Sequence, residues 1–185
     1  MSSLFLDGDR IALVPLEKES YCRNMAAWVH DDEATHYMLT GVFPMTHEAL
    51  QREYDRIGEN KADIVLAVIR KEDEAFVGTA GLYGIAWQAR NAEFRIFLGD
   101  RSAWNGGLGT EAAALMVQYA FDRLNLNKVW LGVNEENKGA IKSYEKAGFV
   151  HEGRLREEVY RNGRYYDALR MSLLRADWLA GKSGG

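Results

Sequence analysis

The stretch Arg101-Ser102-Ala103-Trp104-Asn105-Gly106-Gly107-Leu108-Gly109-Thr110-Glu111-Ala112 decides how the rest of the chain is read. It lies between an alternating run, Ala92 to Leu98 (AEFRIFL), and a run of helical period from about Leu108 to Leu124. Three glycines within four positions let backbone N–H groups converge without Cβ interference. The free donors and positive end of a helix N-terminus add to them, so the junction predicts an anion site, most often for phosphate. The alternative is a tight strand-to-helix turn with no ligand. Gly107-x-Gly109-x-x-Ala112 also fits the dinucleotide fingerprint, which should open a βαβ unit. Its position argues against that. It follows an antiparallel meander, and Glu135, the first acid beyond the next strand, comes 26 residues after Gly109, against an expected spacing of about 20.

Upstream of the turn, Ile64–Ile69, Phe76–Ile85 and Ala92–Leu98 read as three strands joined by the turns KEDE and QARN. Before them Arg10–Pro15 reads as a strand and 17–30 as an amphipathic helix carrying Tyr21, Met25 and Trp28. Thr46 is an N-cap for a second helix with Leu50, Tyr54 and Ile57 on one face. Downstream come a strand, Lys128–Val133, and a helix, Asn137–Ala147, closed by Gly148. Two further strands, 152–161 and 164–174, flank Asn162-Gly163, the strongest short hairpin signal. Residues 1–179 are expected to form one domain and 180–185 (AGKSGG) a flexible tail.

Composition limits the function. The 185 residues are 47% hydrophobic and 27% charged, as in ordinary globular proteins. No apolar run approaches a membrane span, and the first ten residues do not read as a signal peptide. A single cysteine, Cys22, excludes an internal disulfide, and the histidines lack metal-ligand spacing, so no metal is expected. The expected location is the cytoplasm. The net charge of −4 argues against nucleic acid. Residues 1–60 hold 5 basic and 11 acidic side chains, while 61–185 hold 18 and 16. The acidic first third suits a cationic partner or is a solvated face.

The turn and its surroundings resemble the GNAT-fold N-acetyltransferases, in the branch that acetylates ribosomal proteins and polyamines. The family's pyrophosphate loop, Q/R-x-x-G-x-G/A, maps to Trp104-x-x-Gly107-x-Gly109. Trp104 departs from the family's Gln or Arg. A second segment, Asn134-x-x-Asn137-x-x-Ala140-Ile141-x-x-Tyr144-x-x-x-Gly148-Phe149, resembles the family's downstream cofactor segment. Trp28, Asp31, Tyr37 and Met38 follow the family's order, and the hairpin Glu152 to Leu174 resembles the polyamine branch.

The resemblance implies an α/β (α+β) GNAT fold: a central mixed, mostly antiparallel twisted sheet flanked by helices, with a C-terminal β-hairpin. It implies acetyl-CoA as co-substrate and direct transfer to a primary amine, which could be a polyamine, an aminosugar or a protein N-terminus. A catalytically silent CoA-sensing module is the competing class. The cofactor turn would be Trp104, Asn105, Gly106, Gly107, Leu108, Gly109 and Thr110. Ile96, Phe97 and Leu98 would face the pantetheine arm and supply an oxyanion donor. Asn137 and Lys142 would complete the cofactor site, although Asn137 equally suits an N-cap and Lys142 solvent. Tyr144 matches the family's general acid; a neutral phenol can protonate a thiolate whose thiol pKa is near 8.5. Glu93 is the candidate base, or an ordinary strand-edge glutamate. A homodimer is compatible with the pattern.

Overall fold

The computed structural model describes residues 4–183. Eight strands form one sheet in the order β1-β2-β3-β4-β5-β6-β8-β7. They are β1 (Leu6–Asp7), β2 (Ile11–Pro15), β3 (Ile64–Arg70), β4 (Ala75–Ala86), β5 (Asn91–Leu98), β6 (Lys128–Asn134), β7 (Val150–Arg161) and β8 (Arg164–Leu174). Five helices join them: α1 (Lys18–Trp28), α2 (His47–Glu59), α3 (Leu108–Asp122), α4 (Lys138–Lys146) and α5 (Arg175–Ser183). Every strand pair is antiparallel except β5 with β6. The mixed, mostly antiparallel sheet matches the expectation from sequence.

Local chemistry explains most boundaries. Thr46 Oγ1 accepts from the Ala49 N–H and starts α2. Asn137 Oδ1 accepts from the Ala140 N–H and starts α4. Gly148, at φ +96°, ends α4 in the left-handed region. Asn162 and Gly163 both have positive φ (50° and 84°), which a two-residue hairpin turn of matching twist requires.

The two faces of the sheet bury different clusters. Phe94, Leu82, Leu131 and Met171 pack under α3 and α4 with Met116, Phe121 and Tyr144. Phe97 points the other way, into a smaller cluster with Tyr21, Cys22, Met25 and Leu50 of α1 and α2. The two-residue period of a strand makes this division within β5 itself. Trp28 closes the second cluster by lying on Gly99, where an added Cβ would fall 2.0 Å from the indole. Gly99→Ala is therefore expected to cost about 1–3 kcal/mol by overpacking. A thermal melt should show Tm lowered by several degrees, and an unchanged Tm would mean that Trp28 swings away freely.

One difference from the sequence reading concerns the end of the chain. The segment expected to be a flexible tail from 180 is helical through Ser183; residues 184–185 lie outside the described residues. Trp178 holds that helix by packing on Phe121, ring centroids 5.4 Å apart. Trp87 is exposed.

Candidate active site

The sheet opens at its centre. β5 and β6 pair only through Asn91↔Lys128, Ala92↔Val129 and Glu93↔Trp130. From Phe94 onward β5 keeps β4 on one side and has no strand on the other. A cleft of about 640 Å³ lies there. Ile96, Phe97 and Leu98 line it from β5, and Tyr144, Asn137 and Lys142 from α4 and its cap. The loop before α2 contributes Glu33, Ala34, His36, Tyr37 and Met38.

The glycine turn forms one end. Trp104, Asn105, Gly107, Gly109 and Thr110 reach the cleft, while Gly106 and Leu108 do not line it. Leu108 is buried in the core beneath α3, and the Gly106 carbonyl accepts from Arg10 Nη1 at 2.6 Å. Gly107 sits at φ +84° as the N-cap of α3, with no side-chain cap. The first-turn N–H groups are therefore left for a ligand. Glu111, the only acid in that turn, is turned away: its Oε1 accepts from the Arg10 and Ile11 N–H groups at 2.9 and 3.3 Å. An uncapped helix start whose one carboxylate is engaged elsewhere fits an anionic pyrophosphate. Lys142 and Lys146 also reach the cleft. The residues present thus fit the phosphate part of acetyl-CoA, and the free edge of β5 fits an extended amide-bearing arm.

Trp104 replaces a cofactor-contacting Gln or Arg with a structural contact. Its Nε1 donates to the Leu98 carbonyl at 2.8 Å, tying the turn to the end of β5.

Tyr144 lies where the α4 face meets the β5 edge. Phe94 and Phe149 pack edge-on around its ring, with centroids 6.2 and 6.0 Å away. Burial alone pushes its pKa up to about 12. Among the described residues its hydroxyl has no hydrogen-bond partner, and it lines the cleft. The phenol is held neutral, with its proton available.

Glu93 is not brought to the cleft. It lies one residue before Phe94 and so on the opposite face of β5 from Tyr144, where Arg95 Nη2 donates to it at 2.6 Å. Cys22 is buried among α1 and α2, away from the cleft, and burial raises its thiol pKa.

Two interactions on the loop before α2 were not legible in the sequence. Arg101, in the 3-10 turn Arg101–Ala103, donates to both Asp31 carboxylate oxygens from Nη2 at 2.6 Å and pairs with Glu33. The Arg101 hydrogen bond holds the Asp31 carboxyl below its ordinary range. This clasp is therefore intact at neutral pH and is lost only in acid, as Asp31 takes up its proton. Of the run Asp31-Asp32-Glu33 in the acidic first third of the chain, two are thus engaged by Arg101. The second interaction involves Arg161, from the hairpin.

The comparisons agree with this geometry. The family described as acetyltransferase (GNAT) domain matches residues 10–150. The spermidine N(1)-acetyltransferase of Escherichia coli (strain K12) is 33% identical over 173 residues, covering 92% of this chain and 89% of that protein. An uncharacterized N-acetyltransferase, p20, of Bacillus licheniformis is 31% identical over 92% of this chain and 96% of its own length. The crystal structure of spermidine N-acetyltransferase from Vibrio cholerae, in complex with CoA and spermine, superposes with a TM-score of 0.84 at 28% identity. It covers 93% of this chain and 99% of that one. The chain belongs to the GNAT acetyltransferase family, and it is an acetyl-CoA-dependent amine N-acetyltransferase.

Proposed function

We propose that the chain acetylates a polyamine of the spermidine and spermine class by direct transfer. The observation that carries this is the single cleft in which the uncapped α3 turn, the free edge of β5 and the Tyr144 hydroxyl meet. The relatives named for spermidine acetylation, similar over nearly the whole chain, support the substrate class.

Acetyl-CoA supplies a thioester, whose acetyl group is the one moved. The N–H groups of Gly107, Gly109 and Thr110 hold its pyrophosphate, and Lys142 adds positive charge beside it. Backbone N–H groups near Phe97 and Leu98 orient the carbonyl and meet the charge that develops on its oxygen. The amine nitrogen forms the new C–N bond as the C–S bond breaks. The Tyr144 proton passes to the departing sulfur. The amine's proton leaves to solvent water; Glu93, on the other face of β5 and paired with Arg95, takes no part in this step.

Free-thiol release from acetyl-CoA at about pH 8, where amines are partly neutral, tests the substrate class. Spermidine and spermine are expected to give the highest kcat/KM in a panel with aminosugars, aminosugar nucleotides and N-terminal peptides. A faster aminosugar or peptide would overturn the class. Acetyl-CoA binding without release for any amine would favour a sensing module.

Two coarser properties complete the reading. No helix among the described residues is long and apolar enough to cross a membrane, and no cluster of metal-ligating side chains occurs among them. Cys22 is a free, buried thiol, which suits a reducing cytoplasm. Self-association, at least to a dimer, is supported by the long exposed edge strand β7 and by a dodecameric spermidine N-acetyltransferase from Vibrio cholerae at TM-score 0.78 and 28% identity.

A further inference from the structure

The loop between α1 and α2 forms one wall of the cleft, yet no strand or helix holds its middle. Arg161 supplies what is missing. It is the last residue of β7, beside the hairpin turn, and is 6% exposed. Its Nη1 donates to the Thr40 carbonyl at 2.8 Å and to the Met38 carbonyl at 3.3 Å. Its Nη2 donates to Thr35 Oγ1 at 2.9 Å. Thr35, 1% exposed, in turn donates to the Asp31 carbonyl at 2.9 Å. Gly41, at φ +78°, folds the loop back onto Thr35 so closely that a Cβ would fall 2.7 Å from its hydroxyl oxygen.

Every hydrogen-bond partner of this guanidinium is a neutral oxygen of the loop. A buried cation is costly unless its donors are satisfied, so the contact ties the loop to one geometry. Arg suits this better than Lys: its planar fork reaches the three acceptors from two separate nitrogens, whereas an ammonium would have to reach all of them from one point. The residues held, Thr35 to Thr40, span His36, Tyr37 and Met38, which face the cleft. The cofactor turn and Tyr144 lie outside the contact.

We propose that Arg161 is a positioning residue for the acceptor amine: it fixes the 35–40 wall of the cleft from the hairpin and leaves cofactor binding to other residues. The inference rests on the transfer reading above. It goes beyond that reading by assigning acceptor affinity to a residue more than 120 positions away from the wall it sets.

The test compares wild type with Arg161→Met, Arg161→Lys and Thr35→Val in steady-state kinetics with spermidine and in amide hydrogen exchange. Arg161→Met is expected to raise the amine KM about tenfold and leave the acetyl-CoA Kd within about twofold. Arg161→Lys should recover only part of the loss, and Thr35→Val should move KM in the same direction by a smaller factor. Amides 35–41 should exchange faster in Arg161→Met, while those of 107–117 keep their rates. An unchanged amine KM with a folded variant would overturn the proposal. So would equal losses in amine KM and acetyl-CoA Kd, which mark general loosening. If wild type transfers to no amine, the transfer reading fails by itself. Unchanged exchange over 35–41 would then still overturn the role given to Arg161.

Discussion

Replacing Tyr144 by Phe is expected to lower kcat by about 10²-fold, within the range for loss of one general acid, and to leave the acetyl-CoA Kd nearly unchanged. The ring is held by Phe94 and Phe149, which the variant keeps, so packing is not the variable. What disappears is a hydroxyl that lines the cleft and makes no hydrogen bond among the described residues. The pH profile gives a second view. Burial pushes the Tyr144 pKa up to about 12, so its proton is retained through the working range. Wild-type kcat should rise or hold from about pH 8 to about pH 10 as the amine loses its proton, with no falling limb from Tyr144. A fall in that interval, or turnover unaffected in Tyr144→Phe, would assign the acid elsewhere.

The second large effect is expected at the cofactor turn. Gly107→Val places a β-branched side chain at φ +84°, a backbone region that costs about 1–2 kcal/mol for residues other than Gly. Its Cβ would also lie 3.0 Å from Arg10 Nη2, part of the guanidinium that steadies the Gly106 carbonyl. Misdirecting two N–H groups, each worth about 1.5–3 kcal/mol to a charged phosphate, weakens acetyl-CoA binding by at least about 10²-fold. Gly109→Val separates bulk from backbone strain. Gly109 has no positive φ, and the nearest atom to an added Cβ is Leu98 Cδ1 at 3.7 Å, so the side chain has room against the protein but enters the cleft. Calorimetric titration should show both variants weakened with Tm lowered mainly in Gly107→Val. Acetyl-CoA binding at wild-type strength in both would remove the turn from the cofactor site.

Much of this was written in short-range patterns. The caps Thr46 and Asn137, Gly148 and the Asn162-Gly163 turn act within four residues of their own positions, and each fixes an element boundary that the structure keeps. The strand-to-helix glycine turn is of the same kind. The opposed faces of Glu93 and Phe94 also follow from strand alternation, which separates Glu93 from the Tyr144 side.

What the sequence did not disclose depends on distant partners. Helix α5 has the glycine-containing composition of a tail and is held by Trp178 against Phe121, 57 positions earlier in the chain. The carboxylates Asp31 and Glu33 look like a cation-attracting cluster until Arg101 is found between them. Trp104 looks like a defect in the cofactor motif until its indole N–H is found on the Leu98 carbonyl. Arg161 carries no local signal, because its partners are brought to it by the pairing of β7 with β8 and by the course of the loop before α2.

The central claim is direct transfer from acetyl-CoA to an amine within one cleft. Initial rates of thiol release, measured while acetyl-CoA and spermidine are both varied, test it most directly. The account predicts release that requires the amine and gives intersecting reciprocal plots, because both substrates must be bound before the bond is exchanged. Parallel plots would mean an acetylated enzyme as a separate stage, and amine-independent release would mean hydrolysis; either would contradict it.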